Sequence, residues 1–274
     1  MRTIDIGIDK IDKIYHIADV HVRNVKRHKE YRLVFKRLYS YIKKTKTDNS
    51  IIYVAGDIVH AKTDMSPELV AVVSDFFRQL ADLAPTLIIT GNHDCNLNNS
   101  YRLDALSPIV KALNHQRLHY LKDNGIYLIS GVHFNVMSVF DKPVDYIKAD
   151  DFDGDYKIAL HHGSVHNAST DAGFTLSNTH VTTKLFEGYD LVLLGDIHKP
   201  QYLNDEKTIA YAGSLIQQNH GEALGHGIMI WDLETKKSEF VEIVNDYGYY
   251  TYEIDNGKII NPSNKVPKKP RLRL

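Results

Sequence analysis

The sequence of 274 residues lacks the features that mark disulfide-rich, fibrous or membrane proteins. Its single cysteine, Cys95, excludes an internal disulfide and is typical of a reducing compartment. Because no run of about 18 apolar residues occurs, we expect no membrane span. Residues 1–6 do not have the apolar stretch of a signal peptide, so we expect a soluble, intracellular and cytoplasmic protein.

A large net charge is also missing, because 33 Lys and Arg residues nearly balance 34 Asp and Glu residues. Bulk attraction to nucleic acid is therefore not expected. The basic residues are nevertheless clustered: ten of them, against the single acid Glu30, lie in residues 23–46, and five more, including Lys265, lie in residues 265–273. The first cluster fits either a solvated helix face or a phosphate-binding surface, and the second fits a loose tail.

The apolar residues occur in short continuous runs, which predict strands that are buried on both faces of a sheet. Five such runs lie in residues 15–18, 51–55, 86–90, 158–160 and 191–194. Helices are predicted between the strands. Residues 28–44 have helical periodicity, and Ser-Pro pairs at residues 66 and 107 are typical of the beginning of two further helices. This alternation predicts an α/β fold.

After about residue 208 the pattern changes to strands without intervening helices. Apolar segments predict three strands, in residues 227–233, 239–243 and 249–254. We expect them to complete a second sheet of the same domain. From Asn261 onward Pro, Lys and Arg dominate, and we expect little order there. The sequence thus predicts one domain over residues 1–258 and a basic, flexible tail over residues 259–274.

Side chains that bind metal ions follow each of the five apolar runs of the first part. They are Asp19 with His21, Asp57, Asn92, His161 with its neighbour His162, and Asp196 with His198. In an open α/β sheet, ligands gather outside the carboxyl ends of the strands, so we expect these side chains to share one crevice. A single aspartate there is more often a turn residue, but turns do not need histidines, and five coinciding positions indicate a metal site.

The chemistry of this ligand set narrows the choice of metal. Oxygen and nitrogen ligands without a thiolate favour Mn, Fe, Zn or Mg, and their number exceeds the needs of one tetrahedral ion. We therefore predict two divalent ions, a pair that clamps both oxygens of an in-line displacement at phosphorus. One carboxylate must then bridge the ions, and a bound water loses its proton near neutral pH.

The motifs Asp-x-His, Gly-Asp-x-x-His, Gly-Asn-His-Asp, a later His and Gly-x-x-His occur in this order. They resemble the motifs of the calcineurin-like metallophosphoesterases over residues 15–215. The resemblance implies a four-layer α/β/β/α sandwich, in which two mixed sheets are flanked by helices. It also implies that two ions hold a metal-bound hydroxide, which hydrolyses a phosphoester.

The resemblance assigns a role to each matching residue. Asp57 would bridge the two ions. Asp19, His21 and His198 would hold the first ion. Asn92, His161 and Asp196 would hold the second. His162 is the alternative to His161, which we prefer because it lies at the strand end. His93 would be the general acid that protonates the leaving oxygen. Asp94 would orient His93, and His60 would contact the scissile phosphate.

The chain departs from the family pattern at one ligand position. The family usually has Gly-His-x-His, where this chain has Gly-Asp-Ile-His at residues 195–198. A carboxylate at Asp196 makes the site harder, which favours Mn or Mg over Zn, and we expect Mn. An inactive scaffold is the alternative if the change weakens the second site.

A finer similarity concerns the segment that follows these ligands. Three stretches are similar to motifs of the SbcD-type DNA double-strand-break-repair nucleases. They are Gly-x-x-His-Lys-Pro-Gln at residues 195–201, Tyr-x-Gly-Ser-Leu at residues 211–215 and Gly-Glu at residues 221–222. This similarity implies a Mn-dependent DNA exonuclease or endonuclease that acts in repair, recombination or replication. It also implies an SbcC-type, SMC-like ATPase as partner and a homodimer.

The basic cluster supports the DNA interpretation, because it begins two residues after His21. Its first members, Arg23, Lys26, Arg27 and Lys29, are predicted to contact the nucleic-acid backbone. Two alternatives stay open: a phosphoesterase for small molecules or phosphoproteins, and a non-catalytic scaffold that binds DNA. SbcD-type relatives are longer than this chain, so we expect one of three alternatives: a compact variant, a viral or phage type, or a truncated form.

Overall fold

The computed structural model describes residues 1–99, 101–261 and 266–274, so Lys265 of the predicted tail lies outside the described residues. The helices are α1 (His28–Thr45), α2 (Pro67–Leu83) and α3 (Leu106–Leu113). The strands are β1 (Arg2–Thr3), β2 (Lys13–Ile17), β3 (Ser50–Val54), β4 (Thr86–Ile88), β5 (Leu118–Tyr120), β6 (Gly125–Ile129), β7 (Val132–Met137), β8 (Lys157–His162), β9 (Leu191–Gly195), β10 (Gln201–Tyr202), β11 (Ile209–Tyr211), β12 (Gly227–Asp232), β13 (Lys237–Glu242), β14 (Tyr247–Thr251), β15 (Ile254–Asp255), β16 (Lys258–Ile259) and β17 (Lys269–Arg273).

Two large mixed sheets form the centre of the structure. One has six strands in the order β13-β12-β2-β3-β4-β5, and the other has seven in the order β1-β6-β7-β8-β9-β11-β10. The strands β2 to β5 are parallel to one another, as are β7, β8, β9 and β11. The carboxyl ends of the parallel strands therefore lie along one edge of each sheet. The predicted sandwich of two mixed sheets with flanking helices is confirmed.

Three apolar layers hold the sheets and helices together. The first lies between the helices and the six-stranded sheet, where the rings of Phe35 and Phe76 are 4.3 Å apart. The second lies between the two sheets and includes Trp231 and Phe134. The third covers the outer face of the seven-stranded sheet, where loops and short 3-10 helices, such as that of residues 183–186, replace long α-helices. No helix in the described part of the chain is long and apolar enough to cross a membrane.

The C-terminal strands correct part of the sequence prediction. β12 and β13 extend the six-stranded sheet through β2, in the register Met229 to His16. β14 does not join that sheet. It pairs in parallel with β17 and forms a separate two-stranded sheet. The expectation of little order after Asn261 is wrong for residues 269–273, since a strand partner and the ion pair of Arg271 with Glu30 hold them in place.

Glu30, in the first turn of α1, is the centre of a buried ionic network. Its carboxylate accepts hydrogen bonds from Arg27 Nε at 2.9 Å, Arg271 Nη2 at 2.6 Å and Asn245 Nδ2 at 2.8 Å. Burial acts to raise the pKa of Glu30, but the hydrogen bond and charge of Arg27 outweigh burial and hold this pKa below its ordinary value of 4.5. The network therefore requires the ionised form of Glu30.

Replacing Glu30 with glutamine is expected to lower the free energy of unfolding by about 3 kcal/mol near neutral pH, because the buried guanidinium of Arg27 and the partly buried one of Arg271 lose their counter-charge. A group with a lowered folded-state pKa stabilises the fold above its unfolded-state pKa, and that contribution disappears as the pH falls through the folded-state pKa. The difference between the two proteins should thus shrink below pH 4.5, the ordinary value for this carboxyl.

Urea unfolding of both proteins between about pH 7 and pH 3 measures this difference. Glu206→Gln, at an exposed position, is the control and is expected to have little effect. A loss of stability that is the same at every pH would show that the side chain acts through packing and not through its charge.

Candidate metal centre

The loops that follow β2, β3, β4, β8 and β9 converge at one edge of the two sheets. Two backbone hydrogen bonds to carboxylates fix their positions. The amide of Asp196 donates to the Asp19 carboxylate at 3.1 and 3.2 Å, and the amide of His93 donates to Asp57 Oδ1 at 2.8 Å. Side chains that are far apart in sequence are thereby held in one buried cluster.

The backbone at this cluster adopts a conformation that non-glycine residues rarely use. Asp19, His21, Asp57 and Asp196 have φ angles of 50°, 48°, 52° and 102°. Such left-handed residues cost free energy and tend to cluster at functional sites, where the surrounding structure enforces them. Gly91 adds a close approach, because a Cβ atom there would clash with the Asp57 carboxylate.

The first group of ligands comprises Asp19, His21 and His198, whose ligand atoms all lie within 4.8 Å of one another. His198 Nδ1 is 2.8 Å from Glu222 Oε1, so this nitrogen donates to the carboxylate. In the neutral ring, Nε2 then carries a lone pair, and it faces His21 Nε2 at 3.0 Å. Two ring nitrogens at this distance, beside a buried carboxylate, fit a shared cation.

The second group comprises Asp19, Asp57 and His162, again within 4.8 Å of one another. His162 Nδ1 donates to the Ala55 carbonyl at 2.6 Å, which leaves Nε2 to face the group. His162 Nε2 lies 3.0 Å from Asn92 Oδ1 and 3.4 Å from Asp57 Oδ1. Burial acts to lower the pKa of His162, but the charge and hydrogen bond of Asp57 outweigh burial and raise this pKa well above its ordinary value. Nε2 thus meets these acceptor oxygens either as an N–H donor of the charged ring or as the ligand of a shared cation.

Asp57 belongs to the second group and also lies close to the first. Its Oδ2 atom is 3.5 Å from His21 Nε2 of the first group, and its Oδ1 atom is 3.4 Å from His162 Nε2 of the second. This is the place that a bridging carboxylate would occupy. The donor atoms are oxygens and imidazole nitrogens, which fit divalent ions such as Mn, Fe, Zn and Mg.

The electrostatics of the buried carboxylates agree with a site for cations. Burial raises the pKa of Asp19 to about 7, because water does not reach this carboxyl. Burial acts in the same direction on Asp57, but the charge and hydrogen bond of His162 outweigh it and lower the pKa of Asp57. Buried carboxylates that have only histidines as nearby cations are stabilised when divalent ions bind.

The structure corrects the choice of His161 as a ligand. Side chains alternate along β8, so that His162 and Leu160 point towards the space between the sheets, whereas His161 points to the outer face. The His161 ring packs 5.5 Å from the ring of Tyr146, and its Nδ1 atom is 3.2 Å from the Met137 carbonyl. His162 is therefore the residue of this pair that faces the candidate ligands.

The predicted general acid, His93, lies next to the first group. Its ring centroid is 4.8 Å from that of His21, and its Nδ1 atom donates to the His60 carbonyl at 2.7 Å. His60 places its own ring 5.8 Å from the rings of both His21 and His93. Burial and the charge of Arg23 lower the pKa of His60, which favours its neutral form.

The predicted contact of Asp94 with the His93 ring is absent, and this prediction is corrected. The Asp94 carboxylate accepts from the amides of Ile58, Val59 and Gly91 at 2.9 to 3.0 Å. Asp94 thus fastens the loop of Asp57 to the loop of Asn92, and the His60 carbonyl orients the His93 ring instead.

The four predicted backbone-binding residues have different surroundings. Lys26 and Lys29 are exposed, and Arg23 is half-buried with one long hydrogen bond, 3.4 Å, to the Gln218 carbonyl. Arg27 is not available for DNA, which corrects the prediction. Its guanidinium pairs with Glu30 and lies 5.4 Å from the Tyr249 ring centroid.

Two further contacts involve residues that were not predicted to act at a metal site. Glu222 receives the hydrogen bond from His198, although the sequence marked it only as part of a Gly-Glu pair. Ser164 donates a hydrogen bond to Asp196 Oδ2 at 2.7 Å. The other carboxylate oxygen of Asp196, Oδ1, lies 4.0 Å from His162 Nε2, so Asp196 is at the margin of the candidate metal centre. Spacing in the sequence contains no signal for either contact, because both form across loops.

Two clefts open on either side of the centre. A cleft of about 490 Å³ is lined by Asn92 and His162 among others. A second cleft, of about 270 Å³, is lined by His198 and Lys199 among others. Asp196 lines both clefts, so the candidate ligands lie between them.

Comparison with known proteins agrees with this geometry. The sequence profile of the calcineurin-like phosphoesterase family matches residues 12–200, and the chain belongs to this family. The family is one of phosphoester hydrolases that use divalent metals.

Two viral proteins are similar to the chain. "Uncharacterized protein R555" of Acanthamoeba polyphaga mimivirus is 48% identical over 286 residues, which cover 100% of this chain and 21% of the relative. "Putative phosphoesterase 244L" of Invertebrate iridescent virus 6 is 23% identical over 222 residues, which cover 80% of this chain and 75% of the relative. The chain thus spans about a fifth of the mimivirus protein.

Proposed function

We propose that this chain is a DNA phosphodiesterase of the SbcD type, a nuclease that uses two divalent ions, with Mn preferred. The observation that carries the proposal is the pair of ligand groups that share Asp19, with Asp57 of the second group also 3.5 Å from His21 of the first. When bound there, the two ions would activate a water and neutralise charge that develops on the phosphate. His162 replaces His161 in the proposed ligand set, which otherwise keeps the residues predicted from the sequence.

His93 supplies the proton in this proposal. The His60 carbonyl holds its Nδ1–H, so the charged ring would carry its transferable proton on Nε2 and become neutral when it gives this proton to the leaving oxygen. Its position beside His21 places this proton at the first ligand group. His60, with its ring beside both residues, would contact the scissile phosphate.

Surface charge and shape support a polymeric substrate. Lys26 and Lys29 lie at the beginning of α1 and near it, a short distance along the chain from His21. The Arg23 guanidinium has one long hydrogen bond, to the Gln218 carbonyl, and its charge contributes to the lowered pKa of His60. A phosphodiester chain that crosses the centre could continue into both clefts, with these residues as phosphate contacts. Association with an SbcC-type ATPase, and with a second copy of the chain, stay predictions.

Purified protein with Mn, Mg or Zn should be assayed on labelled single-stranded DNA, double-stranded DNA and a chromogenic phosphodiester. Mn-dependent cleavage of DNA is the expected result. Cleavage of the chromogenic ester alone would favour a small-molecule phosphoesterase. DNA binding without cleavage by any of the metals would favour a non-catalytic scaffold.

Replacing Lys26 and Lys29 together with glutamine is expected to weaken DNA binding and its salt dependence. Each lost phosphate contact lowers the slope of log affinity against log salt by about 1, so the pair should lower it by about 2. Fluorescence anisotropy in a salt series measures this slope.

The matched control is Lys43→Gln with Lys44→Gln, two exposed lysines in the last turn of the same helix. It removes the same charge at the opposite end of α1 and should leave the slope nearly unchanged. Equal effects of the two pairs would mean that the beginning of the helix is not the DNA-contacting surface.

A further inference from the structure

Glu222 is a nearly buried carboxylate outside the predicted ligand set, and it touches a member of that set. Its side chain is 7% exposed, and its Oε1 atom lies 2.8 Å from His198 Nδ1. We propose that Glu222 is a positioning residue, which fixes the tautomer and direction of His198 and links this ligand to the C-terminal strand pair. The proposal rests on the proposed metal centre and extends it beyond the direct ligands.

Glu222 is itself held from several sides. Its Oε2 atom accepts from the amide of Gln218 at 2.6 Å, and its Oε1 atom also accepts from Asn219 Nδ2 at 2.7 Å. The Glu222 carbonyl accepts from Gln217 Nε2 at 2.9 Å. These bonds use both carboxylate oxygens and leave little freedom to rotate, so the direction of the carboxylate is set before His198 is considered.

Gln217 connects this loop with the strand pair β14 and β17. Its side chain behaves as a strand partner of Tyr249, since Oε1 accepts from the Tyr249 amide at 2.7 Å and Nε2 donates to the Tyr249 carbonyl at 3.2 Å. Arg27 donates to the Gln217 carbonyl at 2.6 Å and also pairs with Glu30. Two residues, Gln217 and Glu222, therefore separate His198 from the C-terminal strands.

The hydrogen bond has a chemical consequence for His198. Because Nδ1 donates to a carboxylate, the Nε2 lone pair points at His21 Nε2, and the negative charge makes this nitrogen a stronger electron donor. Loss of such a partner typically weakens metal binding by a factor of about 10 to 100. A purely structural glutamate would stabilise the loop but would not change the affinity for the ion on the His198 side.

The test compares wild type, Glu222→Ala and Glu222→Gln. Each full chain is titrated with Mn²⁺, and binding is measured by calorimetry and by electron paramagnetic resonance. In wild type we expect two ions. In Glu222→Ala we expect one of them to bind about 10 to 100 times more weakly. Glu222→Gln keeps the volume and an acceptor but loses the charge, and we expect an intermediate loss.

Two further variants separate positioning from a general loss of structure. Glu234→Ala, on an exposed turn, is the matched control and should bind both ions as wild type does. His198→Ala removes the ligand itself, so adding Glu222→Ala to it should cause no further loss of affinity, whereas two independent effects would add. Circular dichroism checks that each variant is folded, and Glu222→Gln decides the question if Glu222→Ala does not fold.

The outcomes distinguish the two proposals. Wild type that retains two ions, together with unchanged affinities in both Glu222 variants, would overturn the positioning role and leave the proposed function standing. Additive losses in the double variant would also overturn it. Wild type that binds no Mn²⁺, Mg²⁺ or Zn²⁺ would overturn the proposed function itself.

Discussion

Replacing Asp57 with asparagine is expected to remove almost all phosphodiesterase activity, by about three orders of magnitude or more. Asp57 has one carboxylate oxygen 3.5 Å from His21 Nε2 and the other 3.4 Å from His162 Nε2, so both ligand groups depend on it. Asparagine is nearly the same size, but its neutral amide offers one acceptor oxygen instead of two charged ones. The variant is therefore expected to retain fewer than two ions.

Metal content by mass spectrometry, together with the rate of Mn-dependent cleavage, measures both effects in the same preparation. Asp205→Asn, at an exposed position, is the matched control. Circular dichroism checks that the metal-free Asp57→Asn protein is folded, because His162 loses the buried carboxylate with which it pairs. Two ions retained with full activity would exclude Asp57 as the bridge.

The convergence of the candidate ligands could be predicted from sequence because it depends on strand order and direction. Asp19 and Asp57 follow parallel neighbours, β2 and β3, whose ends are in register at Ile17 and Val54. Asn92 follows β4, whose Ile88 is in register with Val54. Side chains directly after aligned parallel strands must lie close together, whatever the details of packing.

The choice between His161 and His162 could not be made in the same way. Alternation along β8 shows that the two histidines point to opposite faces, but it does not say which face meets the ligands. The preceding run, residues 158–160, is apolar and buried on both faces, so the sequence contains no contrast between them. The structure distinguishes the two through the hydrogen bond of His162 to Ala55, which directly follows β3 of the six-stranded sheet.

The structural role of Arg27, its pairing with Glu30 and the Gln217 carbonyl, could not be predicted from the sequence for a different reason. In a segment rich in lysine and arginine, it has the pattern of a solvated cation, and only the acid three residues away offers a local partner. Its other hydrogen-bond partners, the Gln217 carbonyl and Gln218 Oε1, are 190 and 191 residues distant in sequence. Glu30 similarly binds Arg271, 241 residues away. Such contacts depend on how the C-terminal strands pack, which local patterns do not encode.

Replacing His93 with glutamine is expected to lower the rate of the proposed DNA cleavage by about 10² to 10⁴, the usual contribution of a general acid, without removing the proposed ions. His93 lies beside His21 but is fixed through the His60 carbonyl, so its loss should leave the two ligand groups intact. Gel assays on labelled DNA and metal analysis of the same sample measure the two quantities. His115→Gln, where the ring binds Asp82 on another surface, is the control.

A comparison of leaving groups makes the assignment of His93 more specific than a loss of rate alone. A nitrophenolate departs without protonation, whereas the 3′ oxygen of DNA needs a proton, so His93→Gln should impair hydrolysis of a nitrophenyl diester much less than cleavage of DNA. If glutamine slowed both substrates by the same factor, His93 would act in binding or charge stabilisation and not as the acid. The difference between the two substrates therefore measures the proton transfer itself, since the ions and the bound phosphate are common to both.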